Sequence, residues 1–438
     1  MPPTKQIARD IFLQTLASID IPAVMQRKIH LDRTSIILPC ATLELTDISR
    51  VIVIAIGKAA HAMVKGLTSL LPVEYAFSGL VAAPTEPIAA APGLEYFVAG
   101  HPIPNNDSLR AAEACLKLLR TCDRHALVFF LLSGGGSALF ELPLDPSLTL
   151  ADVQDVHRAL VTCGAPIEAM NTVRRHFSAV KGGRLALAAD AAQKVTLAVT
   201  DVPMGKEGAL ASGPTLPDAT TVADVQRILA QYDLPRRLPA SFQRWLAAEP
   251  IPETPKPDHP AFGDAHFELL LGMDDLFHAA HHAVEAHGYR TVCDNSTDDW
   301  PVEKAADNLL SQLETWQREH PGQRVAVIAD GEVSSPVTGN GTGGRNSAFV
   351  LACVEKIAGR KITVLSAGTD GIDGNSPAAG AVADGETLLR ARALGMDPSA
   401  AFRDSDAYSF FSALDDAIVT GPTGNNLRDL RILLAEPL

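Results

Sequence analysis

The feature that most restricts this chain is a repeated order: a short apolar run, then a loop of small, hydroxylated or acidic residues, then a helical pattern. The runs are "VIVIAI" (51–56), "LVFFLL" (127–132), "VTLAVT" (195–200), "FELLLG" (267–272), "RVAVIA" (324–329), "ITVLSAG" (362–368) and "AIVT" (417–420). Amphipathic stretches such as 106–120, 166–180 and 299–318 lie between them. A strand that is apolar at successive positions, not alternate ones, is buried on both faces, as in a parallel sheet covered by helices. The expected fold is α/β, with two α/β domains whose sheets are largely parallel.

At 438 residues the chain exceeds one ordinary core. The stretch "LAAEPIPETPKPDHPAFGDA" (246–265) is Pro-rich, charged and without period. It reads as a linker or a long surface loop, so domains 1–250 and 251–438 are expected, with hinge motion near 246–265. Lys plus Arg is 37 against Asp plus Glu at 51, a net charge of −14. That balance argues against a general nucleic-acid binder and against a protein held on an anionic membrane. The six cysteines show no C-x-x-C pairing and read as reduced thiols. No signal-peptide core or membrane-spanning run is evident, so a cytoplasmic location is expected.

Ligands of open α/β sheets collect at the carboxyl ends of the strands. The run 127–132 is followed by "SGGGSALF", Ser133, Gly134, Gly135, Gly136 and Ser137 first. Successive glycine N–H groups after a strand can form a concave nest for an anion. The same glycines also suit a tight turn packed on a helix, and the two readings stand level. No Walker A lysine closes the loop, no G-x-G-x-x-G dinucleotide fingerprint appears, and no G-x-S-x-G elbow supports a serine hydrolase.

Lys58 follows strand and glycine in "AIGKAAHAM". A cation in the first turn of a helix opposes the dipole, so it is either an ordinary surface lysine or one reaching over a phosphate or carboxylate. Arg345, in "GNGTGGRN", offers a planar fork suited to a carboxylate or a transferring phosphoryl group. Arg174, Arg175, Lys181 and Arg184 gather in "MNTVRRHFSAVKGGRLA", where a solvated helix face is the competing reading. Of the acidic residues past strands (Asp201, Asp330, Asp370 and Asp373), Asp201 and Asp370 are the better metal candidates, although N-caps are common there. The run His278, His281, His282 lacks the acidic partner of a zinc motif.

Taken in order, "ARDIFLQTLASID" (8–20), "GKAAHAM" (57–63), "GHPIPNNDSLRAA" (100–112), "LLSGGGSALFELP" (131–143), "VRRHFSAVKGGRLA" (173–186), "TDVPMGKEGALASGPTLPD" (200–218), "GNGTGGRNSAF" (339–349), "GTDGIDGNSPAAGAVAD" (368–384) and "TGPTGNNLRDL" (420–430) resemble the MOFRL-type glycerate kinases. Members of that family have often carried the label hydroxypyruvate reductase. The resemblance implies a Rossmann-like domain over 1–250, a MOFRL-containing domain over 251–438 and an active site in the cleft between domains. It implies transfer of the γ-phosphoryl group of ATP, with Mg²⁺, to the 2-hydroxyl of D-glycerate. The family's key lysine and arginine fall on Lys58 and Arg345. Nucleotide, phosphate or substrate contacts are expected from Ser133, Gly134, Gly135, Gly136, Ser137, Arg174, Lys181, Asn340, Gly343 and Thr423, and metal contacts from Asp201 and Asp370.

Departures from the family pattern fall at "GKEG" (205–208), at Ser347 and Ala348, at "NSP" (375–377) and at Asn425. A homodimer is the expectation for a cytosolic enzyme of this kind. The competing readings are an NAD(P)H-dependent hydroxypyruvate reductase, which lacks its fingerprint here, and a non-catalytic sensor of a phosphorylated metabolite.

Overall fold

The structure, a computed structural model, describes residues 3–32, 34–39, 41–45, 47–71, 76–200, 202 and 205–438. It divides into two compact units, Ile21–Gly272 and the pair of segments Met1–Asp20 and Met273–Leu438. Each contains a six-stranded sheet.

In the 21–272 unit the strands are β1 (Arg50–Ile56), β2 (Phe77–Ala83), β3 (Leu94–Val98), β4 (Ala126–Ser133), β5 (Gln193–Val199) and β6 (Ala265–Leu271). They lie in the order β3-β2-β1-β4-β5-β6, and every neighbouring pair is parallel. All eight residues of β4 are buried, which is why its sequence is an unbroken apolar run. The strand order reverses between β1 and β4. Helix α1 (Ala60–Leu70) follows the first of these strands.

A helical layer has its own core within this unit. Helices α2 (Leu150–Thr162), α3 (Ile167–Phe177), α4 (Val222–Gln231) and α5 (Ala240–Ala248) supply it. Phe177, Phe242 and Trp245 meet edge to face, with ring centroids 4.6, 5.7 and 5.2 Å apart. Such aromatic contacts add to simple area burial.

The 246–265 stretch is not the connection between units. Its Thr254 is buried and donates to Asp218 Oδ2 at 3.0 Å, while Asp218 N donates to Pro255 O at 3.0 Å. The strand that follows, β6, completes the parallel sheet beside β5. The chain therefore crosses between units at 20/21 and 272/273, not at 250/251. Proline-rich composition marked irregular backbone correctly, but burial and hydrogen bonding make it a strap laid on one unit.

In the other unit the strands are β7 (Arg290–Asp294), β8 (Val325–Asp330), β9 (Ile362–Gly368), β10 (Gly380–Asp384), β11 (Ala417–Ile418) and β12 (Asp429–Ala435), in the order β7-β8-β12-β9-β10-β11. Helices α6 (Val302–Glu319) and α7 (Arg345–Val354) pack against its core. The expectation of a largely parallel sheet is corrected here: only β7 and β8 run parallel. Strand β12 enters antiparallel between β8 and β9, yet all seven of its residues are buried. Burial on both faces gives the same apolar signature whichever way a strand runs. The helix Thr4–Ser18 belongs to this unit, held by Lys5 Nζ on Asp416 Oδ1 at 2.9 Å.

Among the charged groups buried in this unit, Asp330, fully buried at the end of β8, is the carboxylate left without hydrogen bonds from the described residues to either oxygen. Burial pushes its carboxyl up to about 6, against the pull of Arg428 and Arg431. Because the folded-state value lies above the ordinary 3.8, the folded protein holds a proton that the unfolded chain releases. Stability is then highest below about pH 4 for this group and falls as pH rises towards about 6, by about 3 kcal/mol. We predict that Asp330→Asn flattens this part of the urea-unfolding pH profile; an unchanged slope would contradict the assignment. Separately, Phe130→Ala should cost the 21–272 unit about 3–5 kcal/mol in the same measurement, because Phe130 is fully buried in the central strand.

Candidate active site

The strand order reverses between β1 and β4, and it is outside the carboxyl ends of strands at such a point that α/β sheets bind ligands. Lys58 and the 133–137 loop are the residues that follow these two strands. They are joined by short contacts. Gly57 adopts a φ of +127°, and a Cβ placed there would lie 2.2 Å from Ser133 Oγ. Ser133 Oγ accepts from Ala59 N at 3.0 Å, and Gly134 O accepts from Lys58 N at 2.9 Å. The lysine backbone is thus fixed on the loop while its side chain stays exposed.

The glycines have different reasons. Gly135 sits at φ +84°, a left-handed position that favours glycine, and its bare α-carbon faces the His101 ring and Lys58 Cγ. Gly136 is a packing requirement, since a Cβ there would stand 2.6 Å from Ala211 Cβ. The tight, closely packed turn is thus what Gly136 serves, while the left-handed turn at Gly135 is compatible with an anion nest as well.

Ser137 Oγ pairs with Ser212 Oγ at 2.8 Å, and Ser212 Oγ donates to Asn171 Oδ1 at 3.2 Å. Asn171 Oδ1 also takes a long contact of 3.4 Å from Arg174. Ser137 and Arg174 are thereby brought into one network. Ala211 and Ser212 hold φ of +49° and +61°, which for non-glycine residues costs about 1–3 kcal/mol each. Such strain persists where surrounding contacts demand it, and here Ser212 is fully buried between two partners.

The basic cluster of 174–184 is mostly internal. Lys181 is buried and donates to Phe140 O at 2.9 Å and Glu141 Oε2 at 2.7 Å. Arg175 faces Asp218 at 3.5 Å, and Arg184 donates to Arg175 O at 2.8 Å. Arg174 differs, lining a small cavity with His157 and Glu141, its Nε without a partner among the described residues. Burial, reinforced by Arg174, Lys181 and His101, pushes His157 down to about 4, so it is neutral at pH 7. Burial and Lys58 also lower His101. Neither histidine was singled out from sequence; the only signal was the position of His101 in "GHPIPNN", after a strand the apolar runs did not reveal.

In the 273–438 unit, β12 runs antiparallel to β8 and β9, so its first residue, Asp429, lies at their carboxyl ends opposite Gly368. Arg345 begins α7 there. Its Nε donates to Asp429 Oδ2 at 2.5 Å and its NH1 to Glu332 Oε2 at 2.7 Å. Burial alone would lower the guanidinium, but the two carboxylates hold it above its ordinary value. Asp373 caps the same helix, accepting from Asn346 N at 2.9 Å and from Ser347 N at 2.8 Å.

Gly343 N donates to Asn375 Oδ1 at 2.8 Å, while Asn340 is exposed on the same loop. Asp370 accepts from Ile372 N at 3.0 Å, and Thr423 N donates to Asp370 O at 3.1 Å, so these two residues share a turn. Asp201 lies outside the described residues. Among the described residues no three His, Cys, Asp or Glu side chains converge as a metal cage.

Three of the departures from the family pattern are structural. Ser347 Oγ donates to Asp373 at 2.5 Å, Asn375 pins Gly343, and Asn425 Nδ2 donates to Ile19 O at 2.7 Å.

Residues 7–247 match a family described as a domain of unknown function (DUF4147), and residues 325–429 match the MOFRL family. The D-glycerate 2-kinase of Thermotoga maritima is 33% identical over 394 residues, covering 89% of this chain and 92% of that protein. A putative hydroxypyruvate reductase of Agrobacterium vitis is 36% identical over 389 residues, covering 88% of this chain and 87% of that protein. A crystal structure of glycerate kinase from Thermotoga maritima matches with a TM-score of 0.84 at 30% identity, covering 99% of each chain. With both family matches and a relative 33% identical along 89% of the chain, this protein belongs to the MOFRL-type glycerate kinase family.

Proposed function

We propose that this chain is a glycerate 2-kinase, transferring the γ-phosphoryl group of ATP to D-glycerate to give 2-phosphoglycerate and ADP. Relatives bear both kinase and reductase names, and one feature of the 21–272 unit favours the kinase. It is Lys58, fixed on the 133–137 loop at the reversal of strand order, where a dinucleotide enzyme would carry its glycine fingerprint. A cation and a glycine loop there suit a phosphoryl or carboxylate group, and the turn after β1, "GKAAHAM", lacks the G-x-G-x-x-G fingerprint of an NAD(P)H enzyme.

Phosphoryl transfer depends on positioning and on charge stabilisation, with little covalent chemistry for the protein. In this reading Lys58 and Arg345 neutralise charge as it moves through the phosphoryl group. Arg345 is suited to that role because Asp429 and Glu332 hold its fork in one orientation before any ligand arrives. Ser133, Gly134, Gly135, Gly136 and Ser137 hold an anionic group, with Arg174 behind Ser137. Mg²⁺ neutralises the phosphates when bound; with no three-ligand cage among the described residues, Asp370 and Asp201 would each offer one carboxylate beside phosphate oxygens. No helix among the described residues is long and apolar enough to cross a membrane, which is compatible with a cytoplasmic enzyme.

The test is an assay with D-glycerate, ATP and Mg²⁺ in which enolase consumes the product directly. We expect ADP release matched by enolase consumption, and a loss of about 10²–10³ in kcat for both Lys58→Ala and Arg345→Lys. Oxidation of NADH with hydroxypyruvate would instead establish the reductase, and nucleotide binding without turnover would make the protein a sensor.

A further inference from the structure

A cavity of about 300 Å³ lies wholly within the 273–438 unit. That is the lower end of small-molecule pockets, roughly 300–1,000 Å³. Val302, Leu351 and Phe402 give it apolar walls, and Val337 stands at it 82% exposed, an apolar side chain with little of this protein to cover it. Ser334 and Ser335 also line it, and their hydroxyls make no hydrogen bond among the described residues. No lysine, arginine or histidine lines it.

The walls are built in advance of any ligand. Thr338 Oγ1 donates to Arg403 O at 2.8 Å and Thr338 N to Ser405 Oγ at 3.0 Å, latching the 334–342 loop to the turn after Phe402. On the other side Val302 N donates to Ser334 O at 3.0 Å, and Ser334 N to Trp300 O at 2.8 Å. Gly343 and Gly344 line the cavity too, and the chain runs from them straight into Arg345.

An occupant must therefore be neutral, largely apolar on its faces and able to pair with a few hydroxyls. It must also leave any charged part outside the cavity, because no cation inside could hold it. D-glycerate can pair with hydroxyls, but it is anionic and has no apolar face. We infer that this cavity receives the purine base of the nucleotide, with its phosphates outside on the side of Arg345. Glu303, the one charged residue in the lining, stands exposed at it and is placed to accept from an exocyclic amine or a ribose hydroxyl. This rests on the kinase reading and adds to it the place where the nucleotide is recognised.

The experiment is photolabelling of the full chain with 8-azido-ATP, with peptide mapping, alongside the ADP-release assay. We expect label on peptides containing 301–303, 334–338 or 401–405, and competition for it by unlabelled ATP. In Ala401→Trp, which places a large ring at the half-buried wall residue Ala401, KM for ATP should rise by about tenfold or more. The KM for D-glycerate and inhibition by tripolyphosphate should stay at wild-type values. Label confined to other peptides, or a folded Ala401→Trp with unchanged KM for ATP, would overturn the cavity assignment while ADP release left the kinase reading standing. Absence of both label and ADP release would overturn the two together. Should Ala401→Trp fail to fold, the wild-type labelling still decides.

Discussion

The approach of β1 to β4 at their carboxyl ends sets the geometry of the candidate residues in the 21–272 unit. There is no room for a side chain at residue 57, because Ser133 occupies the place of its Cβ. That contact brings the Ser133 hydroxyl onto Ala59 N and the Gly134 carbonyl onto Lys58 N. The lysine and the glycine loop are thus one rigid feature, although seventy-odd residues separate them in the chain. Parallel pairing makes this juxtaposition, since both strands end on the same side of the sheet.

In the 273–438 unit the candidate residues are held chiefly by charge. Two carboxylates grip Arg345, one from the start of β12 and one from the loop after β8. An antiparallel strand is what places Asp429 there, because its beginning meets the ends of its neighbours. The arginine is held by charge-assisted bonds that fix a fork more firmly than they would a lysine ammonium. Asp373, by capping the same helix, orients the residue that begins it. Ser347 and Asn375, which depart from the family pattern, serve this scaffold directly.

Much of this was legible in the sequence. The strands 51–56 and 127–132, the helices around 106–120 and 299–318, and the strand-end loops all stood out, because full burial leaves an unmistakable apolar run. Strands 77–83 and 94–98 did not, for "FSGLVAA" contains glycine and serine and "LEYFV" carries a charge near the sheet's edge. The basic cluster read either as a solvated helix face or as a source of ligand contacts from Arg174 and Lys181, yet Lys181 is engaged with Glu141 inside the unit and Arg175 faces Asp218. Charge alone does not show whether its partner is a substrate or the protein's own carboxylate. His101 and His157 gave no local pattern, because their environment is assembled from the 135, 174 and 181 positions.

The sequence by itself determined which residues are strands buried on both faces, where the small-residue loops follow them, and which family the chain resembles. Those properties depend on local composition and order, and they survive without knowledge of partners. Tertiary structure alone decided the direction of β12, the fate of each cation and the true joints at 20/21 and 272/273. The reason is the same in each case. Burial leaves one signature in a strand whichever neighbour it pairs with, and a charge carries none of its partner's identity until the chain has closed around it.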